Sequence, residues 1–428
     1  MNRLTICSLA LLLCVAAAEP GVPVRVEVRG SPGQWQLFRV GQPYFIQGGG
    51  GRGENKALVA AGGNSTRTWA AENLDAQLDE AQSLGLTVTV GIWLGHPRHG
   101  FNYSNPKQVK DQLERARAAV LKYKDHPAVL IWGIGNEMES AGGEDNVALW
   151  TAVNDLAAMV HKVDPNHPTM TVVAEIGGNK VSHLHTLCPE IDIIGINCYG
   201  GIASLPKRYE KAGGTKPFVV TEFGPPGNWE SGKNGFGVVL ELTSTQKAVR
   251  YANAWKQAIA SQKGKCLGGY AFVWGHKQEG TATWFGTFLP DGARLGAVDA
   301  LTELWTGKPP LNRCPVIEYL KVDGADEVEP QATVRLVLQA ADPEGDPLTV
   351  RWVLQSESGP RGFGGDAEAV PRTFPEAIVK SDLKSAEVTM PKEKGFYRVF
   401  AYVYDNHGGA AVANIPVRVK GAVSSPKQ

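Results

Sequence analysis

From Pro43 to residue 307 the chain repeats one unit, a short apolar β-branched run followed by a helix-sized stretch. The runs are "YFIQG", "NSTRTW", "TVTVGIW", "AVLIWGIGNE", "TMTVVAE", "DIIGINCY", "FVVTEFG" and "GGYAFVW". Most are apolar without alternation, as parallel strands buried on both faces must be. Between them, "KQVKDQLERARAAVLKY" places Val109, Leu113, Ala116 and Val120 on one helical stripe, and "EDNVALWTAVNDLAAMVHKV" is a second helical pattern. Eight such units predict a closed (β/α)8 barrel. A doubly wound sheet competes, but "QGGGGRG" at 47–53 lacks the spacing and the downstream acidic partner of a phosphate-binding turn.

The flanks follow other rhythms. Val24, Val26 and Val28 alternate with Arg25, Glu27 and Arg29, and a Ser31-Pro32-Gly33 turn precedes a second run through Val40. This predicts a β-hairpin over 19–42, packed on the barrel of 43–307. Prolines cluster over 308–315, read as a linker. Short alternating strands over 316–420 predict an all-β immunoglobulin-like sandwich, and 421–428 a disordered tail. The fold class is therefore α/β: a (β/α)8 TIM barrel with an N-terminal hairpin and a C-terminal sandwich.

Residues 1–18 read as a signal peptide: Arg3, an apolar run from Leu4 to Val15, then Ala16-Ala17-Ala18. The run is too short to span a bilayer, so no membrane span is expected. The location implied is secreted or periplasmic. Lipoprotein anchoring at Cys14 is the lesser alternative, because Leu13 is not the small residue that usually precedes a lipidated Cys. Cys188, Cys198, Cys266 and Cys314 allow three disulfide pairings, or stand as buried thiols. Lys+Arg and Asp+Glu both number 43, so nothing points to nucleic acid.

The chemistry is at the strand ends. The fourth barrel run ends Asn136-Glu137 and the seventh ends Thr221-Glu222. Barrel sites are built where strands end, and strands four and seven face each other across the mouth. Paired carboxylates over a cleft suit glycosidic cleavage, in which one donates a proton and the other attacks or activates water. The same rim gains Arg67 and Trp69 from the second strand, Trp93 and His96 from the third, Tyr199 from the sixth and Trp274 from the eighth. Trp229 lies on a Gly/Pro loop at 224–237 directly after Glu222.

Over roughly residues 35–307 these motifs resemble glycoside hydrolase clan A, the retaining glycosidases that include families 2 and 5. The resemblance implies Glu137 as acid/base and Glu222 as nucleophile. It also implies Arg67 and Tyr199 beside Glu222, Asn136 on the sugar 2-hydroxyl, and Trp274 as floor of the cleaved sugar's subsite. Trp69, Trp93, His96 and Trp229 complete the expected substrate-binding set. The hairpin and "VGQPYFIQG" resemble the entry to family 2 barrels. No family 2 sugar-binding sandwich precedes them, so a large family 2 galactosidase is not expected. A barrel followed by an immunoglobulin-like domain is similar to some bacterial endo-β-1,3-glucanases. The expected partner is a polysaccharide or oligosaccharide, foremost a β-glucan, met by a monomer without cofactor or metal. A β-glucan transglycosylase and a non-catalytic carbohydrate-binding or adhesion protein are the alternatives.

Other polar residues are read more plainly. Glu175 reaches the rim as a substrate contact or an ion pair. Glu139 faces elsewhere, and His183 and His185 sit in a solvent-facing loop. His276, Lys277 and Glu279 follow the eighth strand and line the cleft. The sandwich resembles polycystic-kidney-disease or cadherin-like modules. Its Asp342, Glu344, Asp346 and Asp405 suit turns better than calcium.

Overall fold

The computed structural model describes residues 24–140, 143–359 and 364–421. The expected signal peptide with Cys14, and the expected tail save Gly421, lie outside these residues.

Eight parallel strands close into a barrel in chain order: Ile46–Gly50, Ser65–Arg67, Thr87–Ile92, Val129–Asn136, Thr169–Ala174, Ile193–Asn197, Phe218–Phe223 and Cys266–Phe272. The stripe read from the sequence forms the helix Pro106–Tyr123, with Ala116 and Val120 buried. Asn105 caps it, accepting from the main-chain N–H groups of Lys107 and Gln108, and Pro106 needs no donor in the first turn. Asn146 caps the helix Val147–Val163 in the same way.

The Gly-rich run at 47–53 is the first barrel strand and the loop after it. Its glycines serve packing: a Cβ on Gly48 would lie 2.3 Å from the Tyr270 ring, and one on Gly49 would lie 2.7 Å from Trp274. Tyr270 fills the barrel interior, where its hydroxyl meets Ser65 Oγ at 2.9 Å and Thr89 Oγ1 at 2.6 Å.

The N-terminal segment is a three-stranded antiparallel sheet, because Gln42–Tyr44 pairs back onto Gln36–Arg39. The hairpin expected over 19–42 thus gains a strand that crosses its boundary. Val24, Val26 and Leu37 pack on Ile46, Leu130, Met170, Ile193, Val219 and Leu267, sealing the barrel floor.

Residues 316–420 form two mainly antiparallel sheets, with Glu327–Val328 pairing in parallel with Gly409–Val419, around one core that includes Trp352, Leu354, Val388 and Val399. The turn aspartates hold loops: Asp342 Oδ1 accepts from the N–H groups of Glu344 and Asp346, and Asp405 Oδ1 from those of His407 and Gly409. Cys188, Cys198, Cys266 and Cys314 are buried free thiols.

The segment read as a linker is docked. Cys314 is buried, and its N–H donates to Asp299. Barrel residues Arg294–Leu295 join the sandwich as a parallel strand beside Gly409 and Ala410. Buried Arg398 donates to the Val239 carbonyl at 2.9 Å, Val412 N to Ser244 Oγ at 2.9 Å, and Asn414 Nδ2 to Glu241 Oε2 at 2.7 Å. Leu289 and Leu295 are buried with Phe400, Tyr402 and Val412 of the sandwich. Separate cores imply independent units, but this joint leaves polar and apolar groups of the barrel exposed without the sandwich. Removing residues 316–428 is therefore expected to give an aggregating barrel by size-exclusion chromatography. A monodisperse fragment with an unchanged melting temperature would show that the joint is dispensable.

Candidate active site

The C-terminal ends of the barrel strands carry a continuous polar network. Glu222, buried on the seventh strand, receives three donors. Its Oε1 accepts from Arg67 Nη1 at 3.0 Å and Trp69 Nε1 at 2.9 Å, and its Oε2 accepts from the Tyr199 hydroxyl at 2.6 Å. Arg67 Nη1 also donates to the Thr221 carbonyl at 3.0 Å, and its Nη2 donates to Asn136 Oδ1 at 2.6 Å. One buried guanidinium thus ties strands two, four and seven together.

Glu137 follows the fourth strand in a left-handed conformation, φ 52°, two residues after Gly135 at φ 73°. The main chain curls there while Glu137 N still donates to the Val172 carbonyl. For a non-glycine residue this conformation costs about 1 kcal/mol or more, which the surrounding bonds offset. Glu137 Oε1 accepts one side-chain bond, from Asn197 Nδ2 at 2.8 Å. Asn197 also donates to Asn136 Oδ1 at 3.2 Å and accepts from Thr221 Oγ1 at 2.7 Å.

The two carboxyls therefore sit in opposite environments. Burial, and then the charge of Glu222, push Glu137 up to about 7. Burial and the same carboxylate raise the Tyr199 phenol well above its ordinary range, keeping it a proton donor to Glu222.

Around this centre the rim is aromatic. Phe272 ends the eighth strand edge-on to Trp69 at 6.0 Å and Tyr199 at 5.9 Å. Trp229 is 58% exposed and stands edge-on to Tyr199 at 5.8 Å. Trp93, 45% exposed, stacks on His96 with ring centroids 4.9 Å apart. Burial pushes the His96 imidazole down to about 4, and the nearby Arg98 and His99 add to the effect.

The structure thus joins Arg67, Trp69, Asn136, Glu137, Tyr199 and Glu222 in one network, with Trp93, His96 and Trp229 at its edge. It does not bring Trp274 to the cleft. That ring is 2% exposed, packs against Phe288 and Trp305, and donates to the Glu54 carbonyl. The eighth strand stops at Phe272, and the chain then turns Trp274 under the first strand's loop, so Phe272 occupies the face expected of the tryptophan. Glu175 is an ion pair with Arg208 and also bonds the Cys198 thiol. Glu139 is buried against Lys180 at 2.9 Å. His183 and His185 lie on the helix Lys180–Thr186 rather than in a loop, where their Nδ1 atoms meet the Glu144 and Val181 carbonyls. No cluster of potential metal ligands occurs among the described residues. Asn197 was missed as a site residue, although it ends its strand as Asn136 does. Phe272 was missed in favour of the larger ring nearby.

Neutralising Glu222 removes the charge that opposes ionisation of its partner. In Glu222→Gln, the Glu137 carboxyl is expected to titrate below about 7, closer to the ordinary carboxylate range. Carbon-13 NMR of side-chain-labelled glutamate reads this directly; an unchanged value would show that burial alone sets the shift.

Residues 77–255, which contain both glutamates, match the family model "Glycosyl hydrolases family 2, TIM barrel domain". A probable mannan endo-1,4-beta-mannosidase C of Aspergillus terreus is 24% identical over 146 residues, 28% of this chain and 36% of that protein. Among solved structures, Bacteroides uniformis beta-glucuronidase 2 is similar with a TM-score of 0.52 at 15% identity, covering 92% of this chain and 48% of its own. Bifidobacterium dentium beta-glucuronidase gives 0.53 at 19%, covering 67% and 50%. A family 2 beta-galacturonidase from Eisenbergiella tayi gives 0.53 at 15%, covering 67% and 54%. The chain thus spans about half the length of these structures and a smaller share of the mannosidase. Over residues 77–255 the chain is thus similar to the TIM barrel domain of family 2 glycosyl hydrolases.

Proposed function

We propose that this chain is a retaining β-glycoside hydrolase, with Glu137 as acid/base and Glu222 as nucleophile. The observation that carries the reading is the asymmetry of the two carboxyls. Glu222 accepts three hydrogen bonds, from Arg67, Trp69 and Tyr199, while Glu137 is buried with a single side-chain donor among the described residues and is pushed up to about 7.

In this mechanism Glu137 gives its proton to the glycosidic oxygen as Glu222 Oε attacks the anomeric carbon, breaking the bond to the leaving group and forming a glycosyl ester. The ester is neutral, so the charge that helped to raise the pKa of Glu137 is gone. Glu137, now ionised, takes a proton from water as that water attacks the anomeric carbon and frees Glu222. The Asn136 oxygen is taken by Arg67 and Asn197, which leaves its amide NH2 to donate to the sugar 2-hydroxyl. Phe272, with Trp69, would floor the cleaved sugar.

Three substrate classes are candidates. The domain order read from the sequence suggests a β-glucan, the Aspergillus terreus relative a β-mannan, and the solved structures β-glucuronides. The segment 1–18 suggests action outside the cytoplasm. Reducing-sugar release from glucans and mannans, together with aryl β-glucuronides, tests the reading. Chromatography of the products separates hydrolysis from transglycosylation, and proton NMR of the first anomer formed must show retention. Release of the inverted anomer would end the double-displacement assignment.

Glu137→Ala is expected to lower turnover of natural glycosides by about 10²- to 10⁴-fold while largely sparing the first step on 2,4-dinitrophenyl glycosides, whose leaving group needs no proton. Equal losses on both substrates would remove Glu137 from the acid role. In the wild type, kcat/KM on natural glycosides should fall as pH rises through about 7, because the acid form of Glu137 is lost there.

A further inference from the structure

The C-terminal sandwich reaches the mouth of the barrel. Ser358 Oγ donates to the Gly280 carbonyl, Gly280 N to Glu368 Oε2 at 2.7 Å, and Gly365 N to Glu279 Oε1 at 3.3 Å. These contacts lie on the loop after the eighth strand. A Cβ placed on Gly364 would lie 3.9 Å from the Trp229 ring, on the loop after the seventh. Two residues later, both oxygens of Asp366 accept from Arg98 Nη1 at 2.9 Å, on the loop after the third strand. His99 Nε2 stands 3.8 Å from the same carboxylate. One short stretch of the sandwich therefore ties loops from two sides of the mouth.

The loop that Asp366 holds shapes a cavity of about 290 Å³, lined by Trp93, His96, His99, Phe101 and Gln108 among others. That volume is at the lower end for small-molecule pockets, about 300 Å³. Its wall offers the exposed Trp93 indole, backed by His96, which is 3% exposed, stacks on Trp93 and bonds the Asn136 main chain. A sugar ring could lay its apolar face against that indole, as pockets lined by aromatic groups receive ligands.

We propose that Asp366 is a specificity-determining positioning residue of the sandwich: through Arg98 it holds the Trp93–Phe101 loop in the shape that receives a second sugar ring of the substrate. The sandwich is then a wall of the substrate cleft. This rests on the hydrolase reading above. Arg98 is 14% exposed at its side chain, so loss of the Asp366 carboxylate removes a charged partner from a largely desolvated guanidinium. The loop that carries Arg98 then loses this tie to the sandwich.

The test uses the full chain and two kinds of probe. Laminaritetraose and mannotetraose can fill the cavity, whereas β-glucosyl and β-mannosyl fluoride offer one ring only. For Asp366→Asn, KM on the cleaved tetrasaccharide is expected to rise about tenfold with kcat within about twofold, and the kcat/KM ratio of tetrasaccharide to fluoride to fall about tenfold. Asp366→Glu should restore most of that ratio. An equal loss on both probes, or none, would overturn the proposal while leaving the hydrolase reading intact. If Asp366→Asn does not fold by circular dichroism, Arg98→Met must give the same change in ratio, and an unchanged ratio there counts against the proposal. Should the wild type cleave neither these probes nor an aryl β-glucuronide, the hydrolase reading fails; whenever the tetrasaccharides are not cleaved, titration calorimetry with them decides the rest. About tenfold weaker binding by Asp366→Asn supports the cavity; equal binding, or no binding by the wild type, sinks it.

Discussion

The ion pair between Arg67 and Glu222 is the contact on which the site depends. Both side chains are almost fully removed from water, at 3% and 7% exposure, so neither charge is solvated on its own. Deleting one partner of such a pair typically costs about 3–5 kcal/mol, because the other is left charged and dry. The remaining guanidinium donors go to the Thr221 carbonyl and Asn136, so one cation both holds a carboxylate and fixes the neighbouring strand ends. A lysine would keep the charge but lose the planar fork that makes these bonds together.

The difference between the two glutamates follows from where the donors run out. Arg67, Trp69 and Tyr199 all converge on Glu222, and the barrel interior beneath is closed by Tyr270 with Ser65 and Thr89. Among the described residues, the one side-chain donor to Glu137 is the Asn197 amide, itself fixed by Thr221. The two carboxyls are thus set apart by neighbours rather than by intrinsic chemistry.

Much of this was legible in the sequence. Apolar runs of strand length separated by helical stripes determine a barrel, and barrel geometry brings Glu137, Glu222, Arg67 and Tyr199 to one end. Trp274 misled because residue type was weighed without the point at which the strand stops; two residues past Phe272, the chain has already turned away. Asn197 was hidden in plain view, its strand judged by the phenol that follows it. The joint between barrel and sandwich had no local signal at all. Arg398, Asn414 and Asp366 meet partners between 159 and 268 residues distant in the chain, and neither periodicity nor spacing encodes such pairings.

The strand Gly409–Val419 bears on how the molecule is assembled. Its main chain and side chains meet Arg294, Leu295, Ser244 and Glu241, all of which leave the ribosome more than a hundred residues earlier. During synthesis, those barrel groups must wait, unsealed, until this strand has been made. The barrel is first in order of translation, but it is finished from behind, and a chaperone that shields these groups would have a window of about 6–35 seconds at ordinary elongation rates in which to act.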